Sequence, residues 1–128
     1  MSLNRARYVS LATFRKTGVE VATAVWCAED DGDFYVFSSA DAGKVKRLRN
    51  SDRARLAVCD AKGKVLGHWH EASAEIITES LSVAHALQTL RAKYGWQMLL
   101  TDFFSKLSGR FHKRVYIRLR LTPTDVNL

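Results

Sequence analysis

The densest chemistry in this sequence is the stretch from Lys44 to Arg55, where six of twelve residues are basic. Read as a helix, it puts Lys44 and Arg47 three apart on one face, flanking the apolar Val45 and Leu48. Just upstream stand Ser38 and Ser39, hydroxyl donors at a strand end that leads into the helix N-terminus. Hydroxyls, free backbone N–H groups and two cations at one strand-to-helix junction make a phosphate-binding constellation. A solvated basic helix is the plainer reading of the charges alone. The serine pair at the junction is what favours an anion site.

The remaining reactive side chains carry less. His68 and His70 sit two apart on one expected strand, half of a metal site, but Glu71 projects to the other face. They read as ordinary strand residues, and no metal site is assigned. Cys27 and Cys59 fall in apolar strands and read as small core residues. His85 and His112 are isolated. No nucleophile elbow, Walker loop or glycine-rich dinucleotide fingerprint is present.

These residues must be positioned by strands joined mostly through hairpins. Tyr8 to Phe14 alternates as a strand, with Val9, Leu11 and Thr13 on one face. Val19 to Ala28 is a longer one, and Glu29-Asp30-Asp31-Gly32-Asp33 turns the chain into the aromatic strand Phe34 to Phe37. A short helix from about Ala42 to Asn50 follows, then strands over Arg53 to Asp60 and Val65 to Thr78, the second bent at Gly67. Leu81, Ala84, Leu87, Leu90 and Tyr94 recur at helical spacing over Glu79 to Tyr94, which Gly95 can end. A further helix is placed around Leu99 to Leu107. In the closing strand, Arg114 to Leu121, Val115, Ile117, Leu119 and Leu121 face inward, and Arg114, Tyr116, Arg118 and Arg120 face outward. The expectation is a mainly β fold: a six-stranded antiparallel barrel with two or three peripheral helices. Strands that never alternate with long helices exclude a doubly wound nucleotide-binding sheet.

At 128 residues the chain is the size of one domain, expected to span 1–128. Two cysteines are too few for a disulfide framework or a four-cysteine zinc site, and no apolar run is long enough to span a membrane. The expected address is the cytoplasm, with no membrane partner. Twenty Lys and Arg against thirteen Asp and Glu leave a net charge of +7, which favours an anionic partner. Nucleic acid is the natural competitor. Tyr35 and Phe37 alternate as a stacking platform would, but their apolar neighbours mark them as core.

The string Leu11-Ala12-Thr13-Phe14-Arg15, then Gly18, Val25-Trp26, Gly43-Lys44-Val45-Lys46-Arg47-Leu48-Arg49 and Arg55-Leu56, resembles the pyridoxamine-phosphate-oxidase-like split-barrel flavoproteins. The likeness covers nearly the whole chain and is nearest to the short branch of deazaflavin (F420)-dependent reductases. It implies a split barrel pairing into a homodimer, with FMN or F420 at the interface and a small-molecule substrate. It also implies that Ser38, Ser39, Lys44 and Arg47 hold the cofactor phosphate, with the ring near Val25 and Trp26. Arg49, Arg53 or Arg55 would meet the anionic tail of F420. Two other readings stand beside a hydride-transferring oxidoreductase. One is a non-catalytic flavin- or haem-sequestering barrel, with His68 or His70 as the axial haem ligand. The other is a nucleic-acid-binding barrel.

Overall fold

The computed structural model describes residues 2–109 and 113–123; His112 lies outside them. Among the described residues the elements run β1 (Tyr8–Phe14), β2 (Glu20–Val25), β3 (Ala28–Asp30), β4 (Asp33–Ser39), α1 (Gly43–Asn50), β5 (Arg53–Cys59), β6 (His70–Ile77), α2 (Ser80–Tyr94), α3 (Trp96–Leu107) and β7 (Arg114–Leu121). The strands form one antiparallel sheet in the order β2-β1-β5-β6-β7-β4-β3. Its two edge strands, β2 and β3, are joined by only Trp26 and Cys27, so the edges must meet at that corner. The sheet therefore curls into a split barrel, the mainly β fold expected from the sequence.

There are seven strands rather than six because the expected strand from Val19 to Ala28 is broken. At the break, the backbone of Cys27 is satisfied from α2 instead of from a neighbouring strand. Its N–H donates to the Tyr94 hydroxyl at 2.8 Å, and its carbonyl accepts from Lys93 Nζ at 2.5 Å. The strand expected from Val65 begins only at His70. Val65 makes a single bridge to Cys59, and His68 lies outside any strand.

Two apolar clusters hold the fold. The first fills the barrel with Val9, Leu11, Val36, Leu56, Ile117 and Leu119, and Val45 and Leu48 of α1 close it. The second lies outside the sheet, where Ala86, Leu90, Tyr94 and Met98 of the late helices cover Tyr35 and Tyr116. This second layer corrects the reading of the closing strand. Tyr116 is buried and the Arg114 side chain is only 5% exposed, because β7 is covered on both faces.

Candidate functional site

Helix α1 is short, and its two buried residues, Val45 and Leu48, fix it on the end of the barrel. That anchoring turns Lys44 and Arg47 towards the C-terminal end of β1. Arg47 Nε donates to Thr13 Oγ1 at 2.6 Å, and Thr13 is fully buried. The guanidinium folds back along the helix, as helical side chains do. A Cβ on Gly43, the first residue of α1, would lie 2.8 Å from Arg47 Nη1. The charged end of Arg47 thus sits at the first turn of α1, where backbone N–H groups have no intrahelical partner.

The electrostatics of this corner are one-sided. Burial, and then Arg47, push the half-buried Lys44 ammonium below its usual range. Burial and the nearby Arg15 do the same to Arg47. Among the described residues, Arg15, Lys44 and Arg47 have no ion pair. The other buried or half-buried arginines are matched. Arg55 meets Glu20 at 2.9 Å and Glu71 at 3.3 Å, Arg114 meets Asp102 at 2.6 Å, and Arg118 meets Glu75 at 2.5 Å. Like charges held together without a carboxylate cost free energy, which an anion would offset.

The expected site residues are only partly brought together. Lys44 and Arg47 share the corner. Ser38 and Ser39 are split by strand alternation: Ser38 is buried on the barrel face opposite Val115, whereas Ser39 pairs with Arg114 on the other face. The Ser39 hydroxyl donates to Asp41 Oδ1 at 2.5 Å, and that bond holds the Asp41 carboxyl below its ordinary range. Val25 points into the barrel core. Trp26 stacks on Tyr94 with ring centroids 4.6 Å apart and meets Phe37 edge-on. In the β1–β2 register Thr13 faces Val21 and Val9 faces Val25. Four residues of strand, about 13 Å, therefore separate the cationic corner from the Val25–Trp26 end. Arg53 and Arg55, expected to meet a tail, are held by Glu71 and Glu20.

Thr13 and Arg15 are the members of the corner that sequence reasoning missed. A threonine among the inward residues of β1 was the available signal, since a buried hydroxyl needs a partner. A cavity of about 800 Å³ lies elsewhere, between Arg5, Arg7, Tyr8, Cys59, Lys93 and Tyr94. His68 and His70 line a smaller hollow, and no cluster of three metal-ligating side chains occurs among the described residues.

The family model for pyridoxamine 5'-phosphate oxidase matches residues 2–126. The chain belongs to that family. No curated relative matches it. Among solved structures, a conserved hypothetical protein from Mycobacterium tuberculosis superposes with a TM-score of 0.70 at 23% identity, covering 94% of this chain and 76% of that one. HutZ, the haem storage protein of Vibrio cholerae, gives 0.69 at 12% identity, covering 92% and 83%. An F420 reductase gives 0.55 at 19% identity, covering 94% and 90%. At these identities the likenesses concern the fold of this pyridoxamine-phosphate-oxidase-family chain.

Proposed function

We propose that this chain is a cytoplasmic oxidoreductase that holds FMN or F420 and passes a hydride between the ring and a small organic molecule. The observation that carries the reading is the corner of Arg15, Lys44 and Arg47, three cations without a carboxylate beside the first turn of α1. FMN and F420 share a ribityl-phosphate stem, and these residues fit its phosphate. In this reading Lys44 and Arg47 bind it, Thr13 holds the Arg47 guanidinium in place, and Ser38 is a neighbour rather than a ligand. The Ser39 hydroxyl is engaged with Asp41 and serves the turn into α1.

Val25 and Trp26, at the far end of β2, would hold the ring. Because β2 is an edge strand, alternate backbone N–H and C=O groups point away from β1 and can hydrogen-bond a planar polar ring. Trp26 is fixed by its stack on Tyr94, so it supports that end of the strand. Family members often pair as dimers, and a second copy laid over the exposed residues of β2 would cover the ring and exclude water. When bound, the cofactor would supply the hydride and these residues would orient it; no catalytic acid or base is assigned.

Parallel fluorescence titrations of the purified protein with FMN, F420 and riboflavin test the reading. It requires tight binding of at least one phosphorylated cofactor, weak binding of riboflavin, and return of the oxidised cofactor's absorbance when an acceptor is added to the reduced form. Binding without turnover would make the protein a carrier. Failure of both phosphorylated cofactors to bind would refute the site.

A further inference from the structure

The cavity of about 800 Å³ lies at the opposite end of β1 from the cationic corner. Tyr8 lines it, and five residues of strand, about 17 Å, separate Tyr8 from Thr13. The end of α2 holds its walls in place. Lys93 Nζ donates to the Ala6 carbonyl at 2.7 Å and to that of Cys27 at 2.5 Å. The Tyr94 hydroxyl lies 3.0 Å from the Arg7 carbonyl and 3.1 Å from that of Cys27, and shares its proton between them. The segment that carries Arg5 and Arg7 is thereby pinned against the helix. Val58, Leu66 and Gly67 make an apolar side, and Leu66 is 62% exposed.

The charge of this cavity is local and unbalanced. Arg5, Arg7 and Lys93 line it, and none of them has an ion pair among the described residues. The one lining carboxylate, Asp60, is turned to its own loop, where Oδ1 accepts from the N–H groups of Lys62 and Lys64 at 2.9 Å. Three cations against one carboxylate leave two positive charges in excess. Two of the three N–H donors of Lys93 are taken by carbonyls, which leaves one for a ligand. Burial pushes the Lys93 ammonium below its usual range and the Arg7 charge pushes it further, a cost that a bound anion would offset.

We propose that this cavity is a second ligand site, separate from the cationic corner, for a small organic anion with an apolar body. Its volume falls within the roughly 300–1,000 Å³ of small-molecule sites. The apolar side would bury the body of such a molecule, and the cations would fix its acid group. An inorganic anion would leave Val58 and Leu66 uncovered, and a neutral molecule would leave the cations unmatched. The site does not depend on which cofactor the corner holds.

The test is calorimetric titration of the full chain, free of cofactor, with naphthoate, with the neutral naphthamide of the same shape, and with acetate. Naphthoate should bind once per chain, and naphthamide and acetate each about 10- to 100-fold more weakly. Arg5→Gln with Arg7→Gln should lower the naphthoate affinity about 10- to 100-fold and leave that of naphthamide unchanged. Leu66→Glu, which sets a carboxylate beside these cations, should lower it at least ~10-fold. Arg5, Arg7 and Leu66 are exposed, and the circular dichroism of each variant should match the parent. Lys44→Ala with Arg47→Ala should leave naphthoate binding as it is, whatever it does to FMN or F420. No saturable binding of naphthoate, or equal binding of naphthamide, would overturn the proposal. So would naphthoate affinity indifferent to Arg5→Gln with Arg7→Gln, or lost in Lys44→Ala with Arg47→Ala.

Discussion

Gly43→Ala separates the stability of α1 from its proposed function, because the two should respond differently. Gly43 is the first residue of the helix, and its φ is not in the left-handed region. Alanine there should favour the helix by up to about 1 kcal/mol. The new methyl would stand 2.8 Å from Arg47 Nη1, so the guanidinium must move. Moving it endangers the Arg47–Thr13 hydrogen bond, worth about 1 kcal/mol. The two effects nearly cancel, and the melting temperature should change by less than about 4 °C. Affinity for the cofactor phosphate should nevertheless fall about 10- to 100-fold, the loss of one charge-assisted contact of about 1.5–3 kcal/mol. Calorimetric titration with FMN or F420 reads this directly. In an Arg47→Ala background Gly43→Ala should have no further effect on affinity. Unchanged affinity in the single variant, or a loss that persists without Arg47, would refute the argument that Gly43 is small for the sake of Arg47.

Three further outcomes follow from the packing. Tyr94→Phe removes the hydroxyl that accepts from the buried Cys27 N–H, and should cost about 1–3 kcal/mol in denaturant unfolding. Asp102→Ala removes the carboxylate that faces the buried Arg114 guanidinium and should cost about 3–5 kcal/mol, whereas Asp102→Leu with Arg114→Met should recover most of that loss in the same assay. Burial pushes the Cys27 thiol up from 9.0 to about 12, so the unfolded chain ionises first as the pH rises. The stability held by this group is full below about pH 9 and falls towards pH 12, at about 1.4 kcal/mol per pH unit. Cys27→Ala should therefore flatten the alkaline limb of the stability curve.

The local signals in the sequence were strong where structure is local. Tyr8–Phe14 and Arg114–Leu121 alternate cleanly, and α1 and α2 declare themselves by the spacing of Val45 with Leu48 and of Leu90 with Tyr94. The basic corner was legible as Lys44 and Arg47, because it lies on one helix. Its other half was not. Thr13 reaches Arg47 across 34 positions of sequence. The break at Trp26–Cys27 depends on Lys93 and Tyr94, more than 60 residues later. The face of α3 could not be read either, since an apolar arc of that width ordinarily marks a buried side. Here the buried Met98 and the Asp102 carboxylate, held by Arg91 and Arg114, occupy the inner side instead. Ser38 and Ser39 are adjacent in the strand, so alternation puts their hydroxyls on opposite faces.

The most direct test of the central claim is the cofactor affinity of Lys44→Ala with Arg47→Ala, measured beside the parent chain with FMN, F420 and riboflavin. Both side chains are partly exposed and Val45 and Leu48 still anchor α1, so the far-ultraviolet spectrum should stay near that of the parent, while loss of the Arg47–Thr13 hydrogen bond lowers the melting temperature by several degrees. The account predicts that affinity for the phosphorylated cofactor falls at least ~100-fold, with riboflavin unaffected. A folded double variant that binds FMN and F420 as the parent does would contradict it.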